Sequence, residues 1–308
     1  MWRPGRRPRR PLRQNSLVIN WESLSPETIA PLVRNTIFSG NIHFFPTVES
    51  TNALALAAAQ GESAAEGAAF LADEQTAGRG RGGHAWHSEP GTGIYCSFLL
   101  RPPMSPTDAL WLSLVAGIAV HDSVREATGL QADLRWPNDL LLHEKKFAGI
   151  LTEMSSESTR VQHAVIGIGI NVNQERFPRD LQSSATSLRL ESGHAWSRLE
   201  LIAALVRAVD REYRALLRIM AGPVRTPNLR FEPIIKRVES RSSYAQGKRV
   251  HVDEDGGYNG ITDGLDPRGF LRVRTDKGLR IVVSGGVRPL PLTPGPVPIP
   301  RRSDAAGS

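Results

Sequence analysis

Four stretches of the chain place apolar residues at helical spacing. From Ser25 the run SPETIAPLVRNTIFSG supplies a serine N-cap, a proline in the first turn, and Ile29, Leu32, Val33 and Ile37 along one face; Pro31 opposes a continuous helix there. A second helix is predicted from Ser50 through NALALAAAQ, with Gly61 as its C-terminal cap. The third, over 107–128, sets Leu110, Leu114, Ile118 and Val124 near one face and reads as a helix packed on a sheet. The fourth starts at Ser197, where SRLE has the spacing of a capping box with Glu200, and continues through Leu201, Leu205 and Tyr213. Apolar strand-like runs fall at 69–73, 94–100, 133–136, 148–154 and 161–170.

From Tyr244 the texture changes. Short β-type runs, KRVHV, FLRVRT and LRIVV, alternate with the turn sequences DEDGGYNG, DPRG and DKG. A module of about 45 residues is too small to bury much core, so it is expected to lean on the larger domain. The expected division is an arm at 1–20, a mixed domain at 21–240, a small β domain at 241–291 and a tail at 292–308. The arm, with RPGRRPRRPLR, and the tail, PLTPGPVPIPRRSDAAGS, are expected to be disordered: proline and glycine neither propagate helix nor bury apolar surface.

The net charge of +7 suggests an acidic partner until its distribution is read. Arg3, Arg6, Arg7, Arg9, Arg10 and Arg13 all lie in the arm, which leaves the remainder close to neutral and argues against a nucleic-acid-binding body. No apolar run approaches the roughly 20 residues that cross a bilayer. A single cysteine, Cys96, excludes an intramolecular disulfide framework and favours a reducing, cytoplasmic compartment. Its alternation with Ile94, Phe98 and Leu100 predicts a buried structural thiol.

Chemistry concentrates in four segments. The loop Gly78-Arg79-Gly80-Arg81-Gly82-Gly83 is entropically expensive to order, and its backbone N–H groups and guanidinium forks suit a carboxylate or phosphate. It lacks the Lys-Ser or Lys-Thr of a P-loop, and an RNA-binding arginine-glycine segment or a solvated loop shares its composition. In LRWPNDLLLHEKKFAGIL, Pro137 breaks an extended run beside Asn138 and Asp139, and Lys145 and Lys146 precede a buried strand. VIGIGINVN carries Gly167 and Gly169 inside a strand, where glycine marks close approach by a ligand or another chain. Glu49-Ser50-Thr51 aims hydroxyls at a helix N-terminus, as a cap or for a polar ligand.

In this order the segments resemble the biotin protein ligase family: Ser-Thr-Asn, Gln-x-x-Gly-Arg-Gly-Arg followed by Trp, Trp-Pro-Asn-Asp, Lys-x-Ala-Gly-Ile-Leu and Gly-Ile-Gly-Ile-Asn, over about residues 50–290. The resemblance implies an α+β fold, with a class II aminoacyl-tRNA synthetase-like catalytic domain whose sheet is mostly antiparallel, followed by a small SH3-like β-barrel. It implies an ATP-dependent ligase that forms biotinyl-5'-AMP and transfers biotin to a lysine of a biotin carboxyl carrier protein. Ser50, Thr51, Asn52, Gln75, Arg79, Gly80, Arg81, Lys146 and Gly149 would then bind biotin, with Lys146 and Arg81 catalytic. Trp86, Asn138, Asp139 and Asn171 would serve the nucleotide, and Mg²⁺ would come with the ATP phosphates, with Asp139 as its candidate protein ligand. Gly82 and His84 stand where the family often carries arginine, which implies weaker phosphate binding unless a protonated His84 contributes. A lipoate-protein ligase, which shares the architecture and adenylate chemistry, is the nearest alternative. Some family members repress genes through an N-terminal helix-turn-helix; the arm and one helix ahead of Ser50 imply a monofunctional ligase without sequence-specific DNA binding. A homodimer is left open.

Overall fold

The computed structural model describes residues 24–61, 65–223 and 229–290. The arginine arm and the proline-rich tail lie outside the described residues. Seven strands form the larger sheet: β1 (Ile42–Val48), β2 (Ala68–Gln75), β3 (Gly93–Leu100), β4 (Asp133–Arg135), β5 (Asp139–Leu142), β6 (Lys145–Ser156) and β7 (Val161–Asn171). Their order is β1-β2-β3-β7-β6-β5-β4, and every pair is antiparallel except β1 with β2.

Alternation along the central strands sends two sets of side chains to opposite faces. Ala69, Leu71, Ile94, Cys96, Phe98, Ile166 and Ile168 join the main core with α3 (Leu110–Thr128), Leu188 of the short α4 (Leu188–Ser192) and α5 (Arg198–Ala221). Ala68, Phe70, Leu99 and Val165 face α2 (Thr51–Gln60), whose small Ala55 and Ala59 bring it close to the sheet. Cys96 is buried, and burial pushes its thiol pKa up, as an inert structural thiol requires.

The structure departs from the sequence expectations at three elements. The helix from Ser25 is only α1 (Pro26–Ile29), capped by Ser25, and passes at Pro31 into a 3-10 turn over Ala30–Val33. The strand β1 carries Pro46, which masked it in the sequence; β1 is an edge strand, and Pro46 takes no place in its register with β2. Tyr258, read as part of a turn, opens β9 (Tyr258–Leu265).

The second sheet comprises β8 (Gln246–Asp253), β9, β10 (Leu271–Thr275), β11 (Gly278–Val282) and β12 (Gly286–Pro289), in the order β11-β10-β9-β8-β12. Its inward Val250, Val252, Leu271, Val273 and Val282 join the same apolar cluster as the main domain. Trp136 donates its indole N–H to Gly269 O at 2.9 Å, tying the second module's turn beneath α3. The helix leading to this module, α6 (Glu232–Glu239), is fixed by Arg237, which forks onto Glu212 of α5 at 2.6 and 2.8 Å, while the following Arg241 forks onto Asp122 of α3. The two sheets are thereby held against one another beside the β4–β5 turn of the larger sheet, Arg135 to Asp139.

Candidate active site

The cleft lies on the α2 side of the larger sheet, where β6 and β7 carry glycine in place of side chains. Gly149 and Gly169 are register partners, and Trp86 lies across both: a Cβ at Gly169 would stand 2.6 Å from its Nε1, and one at Gly149 would stand 2.9 Å from its Cζ3. The close approach expected at the strand glycines is therefore made by a side chain of the chain itself. The buried indole N–H of Trp86 finds no acceptor among the described residues, which leaves a donor unused within the cleft.

One end of the cleft is polar and pre-organised. Thr51 N–H donates to Gln75 Oε1 at 2.8 Å, Thr51 Oγ1 lies 3.1 Å from the same oxygen, and Gln75 Nε2 donates to Ser88 at 3.2 Å. Asn52 is held beside them, donating to Glu153 at 2.8 Å and to Leu151 O at 3.3 Å, while Ser97 Oγ lies 2.6 Å from its Oδ1. Asn52 occupies the space that a side chain at Gly167 would need. Gly167→Ala is accordingly expected to displace Asn52 and destabilise the protein by about 1–3 kcal/mol, as overpacking does elsewhere, read as a fall in melting temperature. An unchanged melting temperature would show that Asn52 has room to move.

The other end is cationic. Lys146 leads into β6 with Nζ 2.5 Å from Asp139 Oδ1 and 5.4 Å from the centre of the Trp86 ring. Arg135 reaches the second Asp139 oxygen at 2.7 Å. Burial would raise the Asp139 pKa, but Lys146 and Arg135 outweigh it and hold the carboxyl below the usual carboxylate range. The carboxylate stays ionised at neutral pH and fixes Lys146 at the mouth of the cleft.

The glycine-arginine loop forms a small hairpin whose ends are pinned by backbone bonds, Trp86 N–H to Gly78 O at 2.9 Å and Gly80 N–H to His84 O at 2.6 Å. Gly82 and Gly83 make its tip with φ of +67° and +80°, a left-handed turn that an arginine at 82 would strain. Arg81 stands just ahead of this tip and donates from Nη2 to Ser284 O of the second module at 2.7 Å. Burial lowers its pKa, with Asp139 and Glu254 opposing; an arginine so placed remains charged at neutral pH.

Ser50, Thr51, Asn52, Gln75, Arg79, Gly80, Arg81, Trp86, Asn138, Lys146 and Gly149 thus line one cavity of about 430 Å³. It opens past Arg81 and Lys146 into a larger groove, about 1510 Å³, walled by Arg135, Pro137, Asp139 and, from the second module, Arg288. Asn138 turns its amide to Ile150 O at 3.0 Å and so braces β6 as well as lining the cavity. Asn171, expected at the nucleotide, is outside this cavity: it is buried at the end of β7 and donates to Thr186 O at 3.0 Å. Ser97, Ser88, Glu153 and Arg135 were not anticipated. Of these, only Arg135 had a signal, four residues before Asp139 and next to the Trp-Pro-Asn-Asp run.

Residues 44–171 match the biotin/lipoate A/B protein ligase family, and residues 246–287 match the biotin protein ligase C terminal domain. The chain is 36% identical over 230 residues to the bifunctional ligase/repressor BirA of Bacillus subtilis, covering 73% of this chain and 67% of that one. It is 35% identical over 243 residues to the biotin–acetyl-CoA-carboxylase ligase of Mycobacterium tuberculosis, covering 77% of this chain and 84% of that one. Among solved structures it resembles the biotin protein ligase of Aquifex aeolicus in complex with biotin and ATP, with a TM-score of 0.68, 29% identity, and coverage of 82% of this chain and 100% of that one. This chain belongs to the biotin protein ligase family.

Proposed function

We propose that the protein is an ATP-dependent biotin–protein ligase that forms biotinyl-5'-AMP and transfers biotin to a lysine of a biotin carboxyl carrier protein. The observation that carries this reading is one cavity with a hydrogen-bonding end at Thr51 and Gln75 and a cationic end at Lys146, Arg79 and Arg81. Biotin has matching ends: a ureido ring that both donates and accepts, and a carboxylate. The dithiolane ring of lipoate offers no such donors and acceptors, so the Thr51–Gln75–Ser88 cluster favours biotin over lipoate.

In the first step the biotin carboxylate attacks the α-phosphorus of ATP and pyrophosphate leaves. Both reactants are anions, so positioning and charge neutralisation dominate the barrier. Lys146, fixed by Asp139, is assigned to the carboxylate and α-phosphate; Arg79 and Arg81 are assigned to the same anions from the loop. Trp86 is assigned to cover the adenylate, and the larger groove to hold the nucleotide, with Gly80 and Asn138 where cavity and groove meet. In the second step the neutral amine of the acceptor lysine attacks the mixed anhydride and AMP leaves. Asp139 is poorly suited to take the amine's proton, because two cations hold it ionised.

Asp139 is poorly suited to ligate a resident magnesium ion. Each Asp139 oxygen already faces a cation, and no group of three ligating side chains occurs among the described residues. Magnesium is assigned to the ATP as part of the substrate. No helix among the described residues is long and apolar enough to cross a membrane. The reading places the enzyme in the cytoplasm, with a catalytic domain over 21–240 and a small β domain over 241–291.

The purified protein, supplied with biotin, ATP and Mg²⁺, is expected to release pyrophosphate and label a biotin carboxyl carrier domain on a lysine. Transfer of lipoate with no transfer of biotin would replace this reading with that of a lipoate ligase.

A further inference from the structure

The second module is hydrogen-bonded to the ligand loop through the turn that joins β11 to β12. Val283 and Ser284 donate their backbone N–H groups to Glu254 Oε1 at 3.0 and 2.8 Å, and Ser284 Oγ lies 3.2 Å from the same oxygen. The turn is packed tightly on Glu254: a Cβ at Gly285 would stand 2.9 Å from Glu254 Cβ and 3.0 Å from Val252 Cγ1. With its amides gathered on the carboxylate, the turn presents the Ser284 carbonyl to Arg81, which donates to it at 2.7 Å. Arg81 itself stands among Gly80, Gly82 and Gly83, which have no side chains with which to steer it. The direction of its guanidinium is therefore set from the other sheet.

We propose that Glu254 is a positioning residue for the adenylate: it fixes the turn at Ser284, which in turn holds Arg81 and the glycine loop over the cleft. This rests on the ligase reading above and extends it to a residue just past the end of β8, more than a hundred and fifty positions along the chain from the loop it orders. The carboxylate touches no reactant; it acts through the turn. Because Arg81 lines both the small cavity and the larger groove, its orientation bears on the phosphate of a bound adenylate.

The test is the rate at which biotinyl-5'-AMP, formed in a single turnover on the full-length protein, dissociates in the absence of a carrier. Glu254→Ala is expected to raise that rate about tenfold, the effect of loosening one charge-assisted hydrogen bond. Glu254→Gln keeps an oxygen for the three donors and is expected to retain the adenylate within about twofold of wild type. In an Arg81→Ala background, Glu254→Ala should add nothing further, because the residue it positions is gone. Thermal melting of each variant separates these effects from loss of folded protein. Wild-type retention by Glu254→Ala, leakage that Glu254→Gln does not rescue, or multiplication of the two effects in the double variant would overturn the proposal. A wild-type protein that forms no adenylate at all would instead refute the ligase reading on which it rests.

Discussion

Lys146→Ala is expected to slow formation of biotinyl-5'-AMP by about 10²–10³ at saturating biotin and ATP, the usual effect of losing one pre-organised charge at a reacting centre. The lysine sits at the start of a long strand whose next residues, Phe147 and Ala148, are buried, and its ammonium is fixed 2.5 Å from Asp139. It is thus positioned before any ligand arrives, and a reaction between two anions gains most from a cation that need not reorganise. The substitution also leaves Asp139 with only Arg135, so some loss of stability is expected beside the loss of rate. Single-turnover pyrophosphate release separates the two, since it is normalised to folded protein measured by thermal melting. Adenylate formed at the wild-type rate would remove Lys146 from the chemistry. Leakage of adenylate is not expected to increase, because the residues that cover it lie on the loop and not on this strand.

The fold and the site were legible in the sequence to different degrees, for physical reasons. Long periodic runs such as that of α5, capped by Ser197 through Glu200 N–H, announce themselves because burial and capping agree. The strand β1 did not, because Pro46 argues against any strand and only an edge position tolerates it. The β5–β6 hairpin was equally hidden: its turn residues His143 and Glu144 have φ of +47° and +65°, a conformation that the sequence would signal only with glycine or asparagine. At the site, the glycines of β7 announced a close approach but not by what: Trp86 comes against Gly169 and Asn52 against Gly167 from distant parts of the chain, and only the register of the sheet brings them there. The pairing of Lys146 with Asp139 follows from the adjacency of β5 and β6, whereas the reach of Arg81 to Ser284 depends on how two sheets dock and had no local signal. Asn171 shows the opposite case, a motif residue whose side chain is bonded within the fold.

Arg81→Gly is expected to fail in a different way from Lys146→Ala. The hairpin that carries Arg81 is closed by backbone bonds between Gly78 and Trp86 and between Gly80 and His84, none of which uses the arginine side chain. The fold and Lys146 therefore remain in place, and adenylate still forms. What disappears is a guanidinium that lines the cavity, together with the bond that holds the loop to Ser284 O. Hydrogen bonds to charged groups contribute about 1.5–3 kcal/mol, so losing one such hold on the adenylate predicts release faster by about 10- to 100-fold. A further glycine in a loop already rich in them also raises the entropy lost when the loop closes, which works in the same direction. Released biotinyl-5'-AMP is a mixed anhydride that acylates any accessible amine, so biotin should appear on lysines of a bystander protein, in proportion to the release rate. The measurement is the dissociation of labelled adenylate from each protein, with incorporation into serum albumin as the second readout. If Arg81→Gly releases adenylate no faster than wild type, or if Lys146→Ala is the variant that labels the bystander, the division of labour between a fixed lysine on the strand and a covering arginine on the loop is wrong.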